Sequence, residues 1–167
     1  LEGKKGSTEV LSCLHHFLEE VIPASTKHLI LWMDNTASQN KNRSLILYLL
    51  LLTDPESPLF RFERVSMKLA PVGHTYNHCD RSFAHVGEQM KKRRVIGDPL
   101  EVLEVVNETK NSTSTWLDHG NFVDWEEYLG QFYTVGSKFL YDDKGRPTLM
   151  KAHHFSFGFT ESEDKKT

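Results

Sequence analysis

The sequence predicts an α/β fold in which a mixed sheet is flanked by helices. Residues 29–33 form a short apolar run that ends at Asp34, which is typical of a strand buried on both faces. Residues 44–52 are apolar nearly all round and indicate a helix buried in the core. Residues 59–67 alternate apolar with polar side chains, which predicts a half-exposed strand, and an edge position in the sheet suits that pattern.

The segments around this centre predict further helices. A helix begins with Ser7 as its N-cap and ends before Pro23, because proline lacks the amide proton that a helix interior needs. Residues 53–58 are rich in turn-forming side chains and predict a loop. A second helix is expected from Arg81, with Phe83 among its inward-facing residues.

A boundary at Gly97 divides the chain into a core, residues 1–97, and a small α+β C-terminal extension, residues 98–167. In the extension, residues 100–106 suit either a helix or a strand, and residues 123–134 suit a short amphipathic helix. A hairpin is expected over residues 138–151 and a final strand around Phe155 and Phe157.

Composition limits the classes of protein. A chain of 167 residues with 38% hydrophobic content corresponds to one domain, or one domain with an extension. The net charge of −3 gives no global argument for nucleic acid, which must be argued from local patches. Two cysteines suit a reducing nuclear or intracellular setting. The longest apolar stretch is shorter than the ~20 residues of a membrane helix, so no membrane partner is expected. The absent initiator Met predicts a fragment or a processed chain.

The first candidate site follows the strand at residues 29–33. Asp34 and Asn35 come at its carboxyl end, where functional groups gather in open α/β sheets. Gln39, Asn40 and Lys41 follow in a polar segment. Acids and amides after a strand also cap the next helix through their side-chain oxygens, so a capping role is the alternative interpretation of Asp34.

The second candidate site lies just before the helix at Arg81. Its string of polar residues comprises Gly73, His74, Asn77, His78, Cys79 and Asp80. Asp80 is expected at or near the N-terminus of that helix.

Together the strings Asp34-Asn35-x-x-x-Gln39-Asn40-Lys41-Asn42 and Gly73-His74-Thr75-x-Asn77-x-x-Asp80-x-x-Phe83 resemble a domain family of unassigned function. That family is common in transposon-derived proteins of invertebrates, and its domain resembles the ribonuclease-H-like core of DDE/D transposases and integrases. The resemblance covers residues 27–92 and implies a partial ribonuclease-H-like core that lacks its first strands.

The resemblance implies cleavage or strand transfer of DNA phosphodiesters with two Mg²⁺ or Mn²⁺ ions held by carboxylates. Asp34 matches the second acid of such a site and Asp80 the third, as catalytic residues and metal ligands. The supporting residues that it implies are Asn35, Gln39, Asn40, His74 and Asn77. DNA is the implied partner, and a homo-oligomer is left open.

The first acid of such a site has no candidate in this sequence. The acids before Asp34 are Glu2, Glu9, Glu19 and Glu20, and none of them ends an apolar strand. An enzyme is therefore expected only if the full-length protein supplies that acid, and this chain should show little nuclease activity. The alternative is a non-catalytic domesticated module that binds nucleic acid or protein.

Two further sets of side chains suggest ligands. Zinc is the alternative metal, with Cys13, His15, His74, His78 and Cys79 as possible ligands, although only His74 and His78 have a regular zinc spacing. Phosphates are the ligands predicted for the cations Lys41, Arg43, Lys91, Lys92, Arg93 and Arg94. A solvated cationic helix end is the alternative for the last four.

Overall fold

The computed structural model describes residues 6–35, 40–70, 78–93, 96–133 and 153–158. Its elements, in chain order, are α1 (Ser7–Glu20), β1 (His28–Met33), α2 (Arg43–Leu51), β2 (Arg64–Leu69), α3 (His78–Lys92), α4 (Pro99–Glu108), a 3-10 turn (His119–Asn121), α5 (Trp125–Gly130) and β3 (His154–Gly158). This is the mixed α/β class that the sequence predicts.

The three strands form a mixed sheet in the order β1-β2-β3. β1 and β2 are parallel, with His28 opposite Arg64 and Met33 opposite Leu69, and α2 lies between them in the chain. β3 runs antiparallel to β2, with Phe157 opposite Val65. Since β2 is the central strand, the predicted edge position is wrong.

The helices α1 and α2 begin where the local sequence supplies an acceptor for their first amide groups. At α1 the carboxylate of Glu9 accepts from the amide of Gly6 at 3.0 Å, so Gly6 and not Ser7 is the N-cap. At α2 the N-cap is Asn42, whose side-chain oxygen accepts from the amide of Leu45 at 3.0 Å. Each bond satisfies an amide group that has no partner within the helix.

The main core joins one face of the sheet to α1, α2 and α5. The largest contribution is from α2, whose buried residues on nearly every side confirm the predicted buried helix. Its members are Leu11, Leu18, Leu29, Leu45, Ile46, Leu47, Tyr48, Leu49, Leu51, Leu52, Phe62, Val65, Met67, Leu69, Trp125, Leu129 and Phe157. The predicted strand at Phe155 and Phe157 and the short helix near Trp125 are confirmed.

The other face of the sheet, here called the open face, carries exposed or half-buried side chains among the described residues. On β1, Leu29 is buried, but Ile30 and Trp32 are 57% and 68% exposed. The prediction that this strand is buried on both faces is therefore wrong, because its alternate side chains point away from the core.

The predicted strand at residues 59–67 is displaced along the chain to Arg64–Leu69. The amides of Arg61 and Phe62 both donate to the carbonyl of Leu52, at 3.0 Å each. This segment is therefore bound to the end of α2, and Phe62 is buried there rather than in the sheet ladder.

The described residues group into two compact units. The first comprises residues 1–72 and 120–167, and the second comprises residues 73–119. The predicted boundary at residue 97 falls within the second unit. The predicted hairpin at residues 138–151 lies outside the described residues.

The second unit is built from α3 and α4. Asp98 caps α4 by accepting from the amide of Leu100 at 2.8 Å, and Val105 is its buried residue. On α3, Val86 and Met90 are half-buried, whereas Phe83 is 75% exposed. The prediction that Phe83 faces inward is therefore wrong.

Candidate functional site

Asp34 and Asn35 directly follow β1, at the end of a parallel strand. The Asp34 side chain is exposed, and its Oδ1 accepts a hydrogen bond from the side-chain amide of Asn40 at 2.5 Å. Asn35 is half-buried, and its Oδ1 atom has no solvent exposure and no hydrogen-bond donor among the described residues. Two oxygen acceptors of different burial thus follow one strand.

Asp34 is not the N-cap of the helix that follows it, α2. This helix begins at Arg43, and the cap is the oxygen of Asn42. Lys41, just before it, is only 3% exposed, and burial lowers the pKa of its ammonium. Arg43 is exposed, so it is the member of this pair that is available to a phosphate.

Asp80 lies in the first turn of α3, which begins at His78. The structure thus starts this helix three residues before the predicted Arg81. Cys79 and Asp80 are both exposed. A carboxylate in a first turn is stabilised by the helix dipole, a structural role that Asp80 can fill together with any ligand role.

The opposite end of α3 carries the predicted phosphate-binding cations. Lys91 and Lys92 are exposed in its last turn, and the ammonium of Lys92 donates to Gln89 at 3.1 Å. Arg93 pairs with Glu108 of α4 at 2.8 Å, which raises the pKa of its guanidinium through the hydrogen bond. The two lysines are therefore the more accessible phosphate ligands.

Several predicted residues lie outside the described part of the chain, namely Gln39, His74, Asn77 and Arg94. Of the zinc candidates, Cys13 and Cys79 are free, exposed thiols. In residues 6–35, 40–70, 78–93, 96–133 and 153–158, no group of three or more His, Cys, Asp or Glu side chains is placed to hold a metal ion. The Mg²⁺ or Mn²⁺ site and the zinc alternative both stay predictions.

A buried polar cluster between α1 and α5 was not predicted. The hydroxyl of Ser12 accepts from the indole of Trp125 at 3.0 Å and from the amide of Val123 at 3.1 Å. Beside it, His15 Nδ1 lies 3.1 Å from the hydroxyl of Tyr48. Burial lowers the pKa of His15 and raises that of Tyr48, so both side chains favour their neutral forms.

Arg61 binds the carboxyl end of α1. Its guanidinium donates to Glu19 at 2.8 Å and to the carbonyl of Ile22 at 2.5 Å, while its buried Nε has no partner among the described residues. An open cavity of about 580 Å³ adjoins these groups. Its lining comprises His15, Glu19, Ile22, Ala24, Pro58, Leu59, Phe60 and Arg61. The helix end and the acid engage the cation, so its main role here is structural.

The open sheet face is the second surface that sequence reasoning missed. The ammonium of Lys68 on β2 lies 4.8 Å from the ring centroid of its neighbour Trp32 on β1. Strand pairing places Ser66 beside Ile30, and His154 of β3 beside Lys68. A strand exposed on one face usually alternates polar with apolar side chains. Every residue from Leu29 to Met33 is apolar, so the sequence does not show which face is exposed.

Comparison with known proteins identifies a family without an assigned activity. Residues 2–160 match the family described as Domain of unknown function (DUF7869). No curated protein and no solved structure matches the chain. Within the described residues, no helix combines the length and apolar character needed to cross a membrane.

Proposed function

The chain belongs to the DUF7869 family, and we propose that it is a transposase-derived domain of the DDE/D type. Its proposed chemistry is divalent-metal-dependent cleavage or strand transfer of DNA phosphodiesters, on a partial ribonuclease-H-like core. Support for such a core comes from the parallel β1–β2 pair with α2 between its strands and an exposed acid after β1.

The observation that carries the proposal is the buried, unpartnered side-chain oxygen of Asn35, the residue that follows the exposed Asp34 in the chain. A buried acceptor without a donor is unfavourable by about 1–3 kcal/mol, and a bound cation removes that penalty. Carboxylate and amide oxygens are the hard ligands that Mg²⁺ and Mn²⁺ prefer. The oxygen ligand types at this strand end are those that such an ion takes, which supports the proposal.

Asp34 and Asp80 are the proposed metal ligands and catalytic acids, and Asn35 supports them. When bound, the metal ions supply activation of the attacking oxygen and stabilisation of the leaving oxygen. The hydrogen bond from Asn40 fixes the orientation of the Asp34 carboxylate before an ion arrives.

A non-catalytic module that binds nucleic acid or protein is the second candidate. It is favoured by the exposed lysines Lys91 and Lys92, which offer phosphate ligands without any need for the first acid of the DDE/D set. In that case the carboxylates would be dispensable and the lysines essential.

Binding of Mn²⁺, followed by electron paramagnetic resonance, tests the first candidate. We expect Asp34→Asn and Asp80→Asn each to abolish the bound signal, and Asn40→Ala to weaken binding by about 10- to 100-fold, as the loss of an orienting partner does at metal sites. The matched control is Glu20→Gln, at an exposed acid that ends α1.

Three outcomes would contradict the proposal. They are no Mn²⁺ binding by the chain, equal binding by the Asp34→Asn variant, or loss in Asp34→Asn with full binding in Asp80→Asn. The last would leave a single-acid ion site and remove the DDE/D assignment. Since no acid before Asp34 matches the first of the set, plasmid nicking by this chain is expected to be negligible.

A further inference from the structure

The open face of the sheet combines apolar side chains with cations and hydroxyls. It presents two apolar side chains, Ile30 and Trp32, on β1. The neighbouring positions on β2 carry Arg64, Ser66 and Lys68, and β3 adds His154. An exposed aromatic ring therefore lies beside a row of cations and hydroxyls.

The position of this face within the fold indicates that something covers it. Parallel strands are usually covered on both faces, whereas here α1, α2 and α5 share the core of one face only. Ile30 and Trp32 remain more than half exposed on the other. An exposed tryptophan on a strand of the sheet is a large apolar surface left in water.

The charges on this face point to a polyanion. Arg64 and Lys68 are cations, and at the amino end of the strands the carboxylate of Glu63 is paired with Lys27. That ion pair lowers the pKa of Glu63 through its hydrogen bond with Lys27. At the other end, the Asp34 carboxylate accepts from Asn40. The strand positions between these ends carry no acid.

We propose that this sheet face binds single-stranded nucleic acid, with a base stacked on Trp32 and the adjoining phosphates held by Lys68 and Arg64. Aromatic platforms beside cations are how proteins bind unpaired strands without reading their sequence. A duplex is disfavoured because its bases already stack on one another and offer no free ring face. An apolar protein partner is disfavoured because cations and hydroxyls interrupt the surface.

The contact between Lys68 and Trp32 places a cation next to the indole on which the base would stack. The ammonium lies over one face of the indole, 4.8 Å from the ring centroid, so the opposite face is the one on which a base can stack. A base that stacks on the indole then brings its phosphates near the same ammonium. This surface goes beyond the proposed metal chemistry and needs neither the ions nor the acids.

The test is binding of fluorescein-labelled oligo(dT) of fifteen nucleotides, followed by anisotropy in EDTA. We expect Trp32→Ala to weaken binding by about 5- to 140-fold, the range found for loss of one base-stacking aromatic side chain. Trp32→Phe should retain most of the affinity, because phenylalanine also stacks. The matched control is Trp116→Ala, which removes a tryptophan that is 50% exposed in the second unit.

Salt dependence tests the phosphate contacts separately. Lys68→Ala should lower the slope of log affinity against log salt by about 0.7, the contribution of one phosphate contact to a single strand. Lys110→Ala, at an exposed lysine of the second unit, should leave the slope unchanged. Duplex of the same length should bind more weakly than oligo(dT), with no difference between the chain and its Trp32→Ala variant.

Several results would overturn the proposal. They are absence of oligo(dT) binding, equal weakening by Trp32→Ala and Trp116→Ala, and a Trp32-dependent dimer in sedimentation velocity without oligonucleotide binding. The last result would assign the face to a second copy of the chain. Loss of Mn²⁺ binding in Asp34→Asn with intact oligo(dT) binding would separate this inference from the proposed metal site.

Discussion

Removal of the Ser12 hydroxyl should destabilise the chain far more than a change of one oxygen atom suggests. Ser12 is buried, and its oxygen is the acceptor for the Trp125 indole and the Val123 amide. In Ser12→Ala both donors lose that acceptor. A buried, unsatisfied donor costs about 1–3 kcal/mol, and the part-buried Val123 amide belongs at the lower end, so we expect a loss of about 2–4 kcal/mol.

Urea unfolding followed by circular dichroism measures this loss. Ser7→Ala, at the half-buried start of the same helix, is the control and should change the free energy of unfolding by less than about 0.5 kcal/mol. Trp125→Phe removes the main donor instead of its acceptor. The double variant should therefore be less destabilised than the sum of the two single variants, by about 1 kcal/mol.

Two results would refute this reasoning. A loss below about 0.5 kcal/mol in Ser12→Ala would mean that other acceptors replace the hydroxyl. Strict additivity of Ser12→Ala and Trp125→Phe would mean that the 3.0 Å contact contributes no coupling.

Three further outcomes are expected. Asn42→Ala should lower stability by about 1 kcal/mol through loss of the α2 cap, whereas Asn42→Ser keeps an acceptor and should be nearly neutral, as thermal melting can establish. Burial lowers the folded-state pKa of His15 from 6.5, so its contribution to stability is complete above pH 6.5 and is lost as the pH falls towards that lowered pKa. His15→Gln should flatten this acid-side slope of the free energy of unfolding, and an unchanged slope, or equal flattening in His16→Gln, would contradict it. EDTA should barely change the melting temperature of the chain, and Cys79→Ser should leave its stability nearly unchanged. Stoichiometric zinc in the purified chain would instead favour zinc over Mg²⁺ or Mn²⁺.

The sequence was sufficient to predict the elements with the strongest patterns. The apolar run of β1 and the all-round apolar character of α2 predicted a strand followed by a buried helix, and both are present. The pairing of β2 with β3 could not be predicted, because the partner strand lies far along the chain and no local signal specifies it. The central position of β2 was missed for that reason.

The wrong predictions of which side chains face the core have a single physical origin. An apolar residue does not reveal whether anything covers it, so Trp32 and Phe83 were placed inward although both are exposed. In α3 the half-buried residues Val86 and Met90 belong to its second half, and Phe83 precedes them. The sequence of a helix shows which of its faces is apolar, but it does not show how much of that face a neighbouring element covers.

The candidate site was predicted in part. The position of Asp34 after a parallel strand follows from the pattern, and so does the place of Asp80 in the first turn of a helix. The unpartnered Asn35 oxygen could not be predicted, since burial of a single atom depends on the folded chain. The burial of Lys41 was missed for the same reason.

The division of the chain has a consequence for how this family can diversify. The first unit is interrupted after residue 72 and resumes at residue 120. In the order of the chain, residues 73–119 are therefore an insertion into the first unit. Loop closure costs only about 0.6 kcal/mol for each doubling of loop length. A change in the length of the inserted part should therefore cost little stability, provided that the returning segment still supplies Trp125 to the Ser12 hydroxyl.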